Sequence, residues 1–82
     1  MKNSKSEIYN IVQESIQHHL EEKVDINVST SLGELNMDSL KVVEIVFELE
    51  VFLGIEVEEE KLEALETIGD VIEMIISAQK II

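Results

Sequence analysis

The clearest structural signal in the sequence is the central stretch Asp38-Ser39-Leu40-Lys41-Val42-Val43-Glu44-Ile45-Val46-Phe47-Glu48-Leu49-Glu50-Val51-Phe52-Leu53-Gly54. Asp38 is a residue type that caps helix N-termini, and Gly54 is a type that ends helices. The many β-branched residues make a strand the rival interpretation. Polar and apolar residues do not alternate, however, and Lys41, Glu44 and Glu48 form one polar stripe at helical spacing. The stretch is therefore predicted to be a helix.

Two apolar stripes run along this predicted helix. The inner stripe is Val42, Ile45, Val46, Leu49 and Leu53, and the outer stripe is Leu40, Val43 and Phe47. A small amphipathic helix needs one apolar face for a core. We expect the outer stripe, which is bordered by Glu44 and Glu50, to face a protein partner or an appended group. The alternative is a bundle that surrounds the helix on most sides.

A first helix and a long loop precede the central stretch. Ser4 and Glu7 have the spacing of a capping box, and an apolar stripe follows them, so a helix is predicted from about Ser4 to Leu20. Residues 21–37 lose this pattern and are predicted to be a loop. Their scattered apolar residues indicate that the loop is held against the domain.

Two further helices follow the central stretch. After Gly54, a short acidic helix is predicted, held in place by Leu62 and Leu65. Thr67 and Asp70 then have capping spacing at the start of a last helix. Its apolar stripe is Ile68, Val71, Ile72, Ile75 and Ile76. The sequence thus predicts an all-α bundle of four helices.

Composition excludes several classes of function. The 82 residues carry six Lys+Arg and 18 Asp+Glu, a formal net charge of −12. A chain this acidic is repelled by the phosphate backbone of nucleic acid, so we expect basic proteins as partners instead. The absence of Cys removes disulfides and thiol chemistry from the chain's own side chains. No apolar run approaches the length of a membrane span, and the start of the chain lacks signal-peptide or transit-peptide character. We therefore expect a cytoplasmic protein without membrane partners.

Signatures of catalysis and metal binding are largely absent. The sequence has no nucleophile elbow, phosphate-binding glycine loop, zinc-protease motif or calcium-binding loop. Neighbouring His18 and His19 would point about 100° apart on a helix, which suits a metal poorly. The acidic residues between Glu56 and Glu63 are expected to form a solvated face. We expect neither an enzyme nor a metal site.

Ser39 is the remaining candidate for chemistry. It follows the capping Asp38, beside a positive helix end that tolerates an attached phosphate. Alone, this pair would indicate only a helix start. The segment Leu35-Asn36-Met37-Asp38-Ser39-Leu40 and the helix after it closely resemble the acyl carrier protein family, whose attachment motif is Asp-Ser-Leu at the start of the second helix. Ile55-Glu56-Val57 and Thr67-Ile68-Gly69-Asp70-Val71-Ile72 resemble later landmarks of that family in the same order.

The resemblance covers nearly the whole chain and implies a fold and a cofactor. The fold would be a four-helix bundle of acyl-carrier type with a long first loop and a short third helix, as one domain over residues 1–82. In carrier proteins, the serine of the motif accepts phosphopantetheine from coenzyme A through a phosphodiester, so Ser39 would become modified. The thiol of that arm holds acyl groups as thioesters, which explains how a chain without Cys takes part in sulfur chemistry.

The resemblance also implies partners. These are a phosphopantetheinyl transferase and acyl-transferring and acyl-modifying enzymes with basic docking surfaces, which a monomeric carrier would visit in turn. The recognition residues that we expect are Asp38, Leu40, Lys41, Glu44, Phe47 and Glu50. The acyl chain of such proteins can lie between the second and later helices, which here places Val46, Leu49, Leu65 and Val71 near it.

Three residues depart from the pattern of carriers in fatty acid synthesis. Lys41, Val51 and Phe52 stand where those carriers commonly have acidic residues. This favours a dedicated carrier in polyketide, lipid-modifying or other specialised assembly, alongside general fatty acid synthesis. Two alternatives stay open: a small helical adaptor that binds proteins and is never modified, and an acidic cation buffer.

Overall fold

Four helices account for most of the chain between residues 4 and 79, the part described by the computed structural model. Helix α1 spans Lys5–His18, α2 Ser39–Leu53, α3 Glu59–Leu62 and α4 Ile68–Gln79, and a 3₁₀ turn covers Gly33–Leu35. Within these residues there is no β-strand, only an isolated bridge between Ser31 and Thr67. The all-α prediction is confirmed, as are the long first connection and the short third helix.

The bounds of α1 follow from local hydrogen bonds. The Ser4 hydroxyl accepts from the Glu7 N–H, and the Glu7 carboxylate accepts from the Ser4 N–H, so the predicted capping box is present. The helix ends at His18, two residues before the predicted Leu20. Beyond it, the Gln13 side-chain amide donates to the Ile26 carbonyl at 3.0 Å, and the Gln17 amide donates to the Val24 carbonyl. These bonds draw the following segment back along α1.

Helix α2 begins and ends where the sequence predicts. The Asp38 carboxylate accepts from the Lys41 N–H at 2.9 Å, which caps the first turn. Gly54 ends the helix at φ 66°, a left-handed conformation that glycine adopts without strain, and its N–H donates to the Glu50 carbonyl.

The long loop is pinned to the start of α4. The Ile68 N–H donates to the Thr30 carbonyl at 3.0 Å, the Gly69 N–H donates to the Val28 carbonyl at 2.9 Å, and the Leu32 N–H donates to the Glu66 carbonyl at 2.8 Å. A Cβ on Gly69 would lie 2.9 Å from the Val28 oxygen, so this close approach requires glycine. The expectation that the loop is held against the domain is confirmed.

The start of α4 also has the predicted capping pair. The Asp70 carboxylate accepts from the N–H groups of Glu66 and Thr67, and the Thr67 hydroxyl accepts from the Asp70 N–H. The two backbone hydrogen bonds stabilise the charged carboxylate and lower the pKa of Asp70 below its ordinary value.

The core lies where α1 packs against α2 and α4. Its buried side chains are Ile8, Val12, Ile16, Leu32, Met37, Val42, Ile45, Val46, Leu49, Ile68, Val71, Ile72, Met74 and Ile75. Four of the five residues of the inner stripe are among them, and Leu53 is half-buried. None of the helices within residues 4–79 is long and apolar enough to cross a membrane.

Candidate functional site

The outer stripe of α2 faces away from the core. Leu40 and Phe47 are each 67% exposed, and Val43 is 41% exposed. Val51 lies one turn beyond Phe47 on the same side and is 77% exposed, so it extends the apolar surface to the last turn of α2. The alternative in which the bundle surrounds α2 does not hold for this face.

Ser39 lies at the open start of α2. Its side chain is exposed, and it borders a groove of about 1500 Å³ beside α2. The Asp38 carboxylate is occupied by the Lys41 N–H, so it orders the first turn without covering Ser39. The positive end of the helix favours a phosphate at this position, and the groove gives room for a long substituent. The surroundings of Ser39 therefore fit the phosphodiester-linked arm that the family resemblance implies.

The groove runs between α2 and the segments around α3. Apolar residues on its walls include Val43, Val46, Phe47, Leu62, Leu65 and Met74. Val46 and Leu65 were among the four residues expected near an acyl chain. The other two, Leu49 and Val71, do not border the groove. They lie in the core and are 2% exposed, as is Val46, whose buried side chain does reach the groove. Sequence periodicity places a residue on the inner face of a helix, but it does not separate a groove wall from the core behind it.

The charged residues expected at the partner surface differ in their surroundings. Lys41 pairs with Glu44, their Nζ and carboxylate oxygen being 3.7 Å apart, and both side chains are partly exposed. Glu50 is half-buried, and its carboxylate accepts from the Val57 N–H at 2.8 Å. Glu50 thus makes a contact within the domain that the sequence pattern did not indicate.

The rings of neighbouring His18 and His19 are 6.0 Å apart and nearly perpendicular, and their surroundings differ. His19 is close to Glu48, with Nε2 and a carboxylate oxygen 3.0 Å apart, while His18 is exposed. Among residues 4–79, no three His, Asp or Glu side chains come together in a way that could hold a metal ion.

Comparison with known proteins identifies the family. A family model for the phosphopantetheine attachment site matches residues 7–75. The crystal structure of an acyl carrier protein from Thermotoga maritima is similar at a TM-score of 0.67 and 22% identity, covering 89% of this chain and 82% of that one.

A second similar structure comes from a polyketide synthase. The solution structures of 3-oxo-butyl acyl carrier protein, an intermediate mimic from the actinorhodin polyketide synthase of Streptomyces coelicolor, match at a TM-score of 0.66 and 16% identity. The match covers 96% of this chain and 93% of that one. At these identities the structural matches establish the fold, and the family model establishes the kind of domain. The chain belongs to the family of carrier domains with a phosphopantetheine attachment site, which hold that group covalently.

Proposed function

We propose that this carrier protein is modified on Ser39 and carries acyl intermediates as thioesters between biosynthetic enzymes. The observation that supports the proposal best is the position of Ser39, exposed at the capped but uncovered start of α2 and at the edge of an apolar groove. When attached, phosphopantetheine supplies the thiol that the chain lacks. The chain itself supplies the attachment hydroxyl, the groove and a recognition surface, and catalysis belongs to its partners.

The proposed recognition surface is the outer side of α2. It includes Asp38, Leu40, Lys41, Glu44, Phe47 and Glu50. Exposed Leu40 and Phe47 provide an apolar centre, and the net charge of −12 favours partners with basic surfaces around it. The partners that we propose are a phosphopantetheinyl transferase and enzymes that load, modify or transfer acyl groups. A monomer in the cytoplasm, folded as one domain over residues 1–82, suits such transient encounters.

The pathway that we propose is fatty acid, polyketide or related specialised biosynthesis. The similar carrier from the actinorhodin polyketide synthase supports the specialised branch. Lys41, Val51 and Phe52 support it too, because they give α2 one positive and two apolar positions where carriers of fatty acid synthesis commonly have acids.

The direct test is intact-protein mass spectrometry after incubation with coenzyme A, magnesium and a broad-specificity phosphopantetheinyl transferase. We expect the wild type to gain one phosphopantetheine and Ser39→Ala to gain none. Ser77→Ala is a matched control because Ser77 is exposed and borders the same groove, and it should be modified normally. Modification of Ser39→Ala would contradict the assignment. Asp38 still caps α2 in that variant, so circular dichroism should show an intact fold.

The exposed outer stripe also suits an unmodified adaptor that binds proteins through α2. That function predicts no mass gain in the wild type under conditions that modify another carrier. It also predicts that Ser39→Ala keeps full activity in its pathway.

A further inference from the structure

The segment that joins α2 to α3 forms one wall of the groove. Ile55 and Val57 are half-buried, pack against the core and border the groove. The segment has no helical structure of its own over residues 55–58. Helix α3 is a single turn, and the side chain of Glu58, the N-cap residue before it, makes no capping hydrogen bond. The wall is therefore held by the apolar contacts of Ile55 and Val57 with the core and by its hydrogen bonds to α2.

That attachment converges on Glu50. The Glu50 carbonyl accepts from the N–H groups of Gly54 and Ile55, the latter at 3.1 Å. The Glu50 carboxylate accepts from the Val57 N–H at 2.8 Å. Among residues 4–79, every hydrogen bond found from positions 54–57 to α2 ends on Glu50. The carbonyl bonds close the end of the helix, and the carboxylate bond alone reaches the middle of the wall.

The other acidic side chains of α2 are placed differently. Glu44 pairs with Lys41 along the helix, and Glu48 contacts His19 at the end of α1. Of these three acidic residues of α2, Glu50 alone is half-buried, and it borders the groove. A carboxylate that accepts a backbone N–H in a partly buried site makes a stronger bond than an exposed one, because water competes less for the donor.

We propose that Glu50 is a positioning residue whose carboxylate holds the wall at residues 55–58 against α2. It thereby determines how completely an aliphatic acyl chain in the groove is enclosed. The second part rests on the proposed function, since it supposes an acyl chain on the arm. Glu50 thus has a role within the domain in addition to any contact with partners.

The first test measures amide hydrogen exchange at Val57 by NMR on the unmodified protein. Glu50→Ala removes the acceptor, and we expect Val57 to exchange roughly tenfold faster. Glu50→Gln removes the charge but keeps a carbonyl oxygen in the same place, so it should restore protection to within about threefold of the wild type. Glu44→Ala removes another acid of α2 and should leave Val57 unchanged. Unchanged exchange in Glu50→Ala, or equally fast exchange in Glu50→Gln, would overturn the proposal.

The second test uses the protein loaded with octanoyl or acetyl thioesters and measures cleavage by hydroxylamine. Glu50→Ala should speed cleavage of the octanoyl form about threefold or more and leave the acetyl form unchanged, because only the longer chain reaches the groove. Glu50→Gln should behave like the wild type. Equal octanoyl rates in the wild type and Glu50→Ala would overturn the role in enclosure. Failure to load the wild type on Ser39 would instead contradict the proposed function, while the exchange experiment would still decide the role of Glu50 in the wall.

Discussion

Helices α2 and α4 both have an aspartate at their start whose carboxylate accepts backbone N–H groups, but the surroundings of the two starts differ. At α4, carbonyls of the long loop accept from the Ile68 and Gly69 N–H groups, and the Ile68 side chain is fully buried. At α2, Asp38 caps the Lys41 N–H, and Ser39 and Leu40 are exposed. One start is closed by another part of the chain, and the other is left open to solvent.

The covered start of α4 contributes to the stability of the fold, whereas the exposed start of α2 is available for function. Backbone donors at a helix start must be satisfied, and at α4 the loop satisfies them while burying apolar side chains. At α2 the local cap is sufficient to begin the helix, which leaves the positive helix end and the outer stripe available. An arm attached at α4 would have to displace the loop, whereas an arm at Ser39 displaces solvent.

The largest expected effect is on the free energy of unfolding, and it shows when apolar side chains at the starts of α4 and α2 are truncated. Ile68→Ala should lower the free energy of unfolding by about 2–5 kcal/mol, because it leaves a cavity in the core. Leu40→Ala should change it by no more than about 0.5 kcal/mol, because Leu40 is exposed. Urea unfolding followed by circular dichroism measures both. A large cost for Leu40→Ala would mean that the outer stripe is covered within the protein, and the comparison would fail.

A second effect tests the close approach of the loop to α4. Gly69→Ala should lower the free energy of unfolding by about 1–3 kcal/mol, because the new Cβ would meet the Val28 carbonyl oxygen. Alanine normally favours a helix over glycine, so a net loss can only come from this contact. Gly33→Ala is the control, since its Cβ would have Ser31 Oγ as nearest neighbour at an ordinary 3.5 Å. If Gly69→Ala were as stable as the wild type, the loop would not be pinned there.

A third, smaller effect is the contribution of the Asp70 charge to the free energy of unfolding, which depends on pH. Hydrogen bonds from Glu66 and Thr67 lower the pKa of Asp70 below 3.8 in the folded protein, so the unfolded chain binds more protons between the two pKa values. Its contribution to stability is complete above 3.8 and is lost as pH falls through the folded pKa.

Asp70→Asn isolates that contribution because it keeps an acceptor that does not ionise. Urea unfolding of both proteins, from neutral pH down to about pH 2, gives their free energies of unfolding. The wild type should be the more stable at neutral pH, and this difference should become smaller in the acidic range. If the difference in free energy of unfolding between the two proteins were the same at every pH, the charge of Asp70 would not contribute to stability at the start of α4.

Local signals predicted most of the helix starts and ends. The Ser4/Glu7 and Thr67/Asp70 pairs, Asp38 and Gly54 all cap helices as expected, because each acts on backbone groups within a few residues. The apolar periodicity of α2 likewise separated the buried inner stripe from the exposed outer one.

Contacts between distant segments could not be predicted in the same way. The bonds from Gly69 and Ile68 to the loop join backbone groups about forty residues apart, and backbone pairing leaves little trace in side-chain identity. The glycine at position 69 is a signal only once the partner carbonyl is known. The bond from Val57 to Glu50 was missed because an acid on α2 looks the same in sequence whether it meets solvent or a neighbouring N–H.

The smallest expected effect on stability concerns Lys41, next to the open start of α2. Lys41→Glu replaces a partly exposed pair with Glu44 by two like charges at the same spacing. Each change costs a few tenths of a kcal/mol at most, and an acid in a first helical turn offsets part of that. Its effect on recognition should be larger. If partner surfaces are basic, Lys41 repels them, and Lys41→Glu should speed modification of Ser39 by the transferase about two- to fivefold at low salt.

The rate difference should shrink as salt screens the charges, because electrostatic steering acts mainly on encounter. Initial rates of phosphopantetheine transfer at two salt concentrations measure it. Lys23→Glu makes the same change of charge at an exposed position of the long loop and should have a weaker effect. Equal acceleration by both variants would mean that net charge alone matters. Slower modification of Lys41→Glu would mean that this partner presents an acid to α2, and the open helix start would then select partners by the sign of one residue.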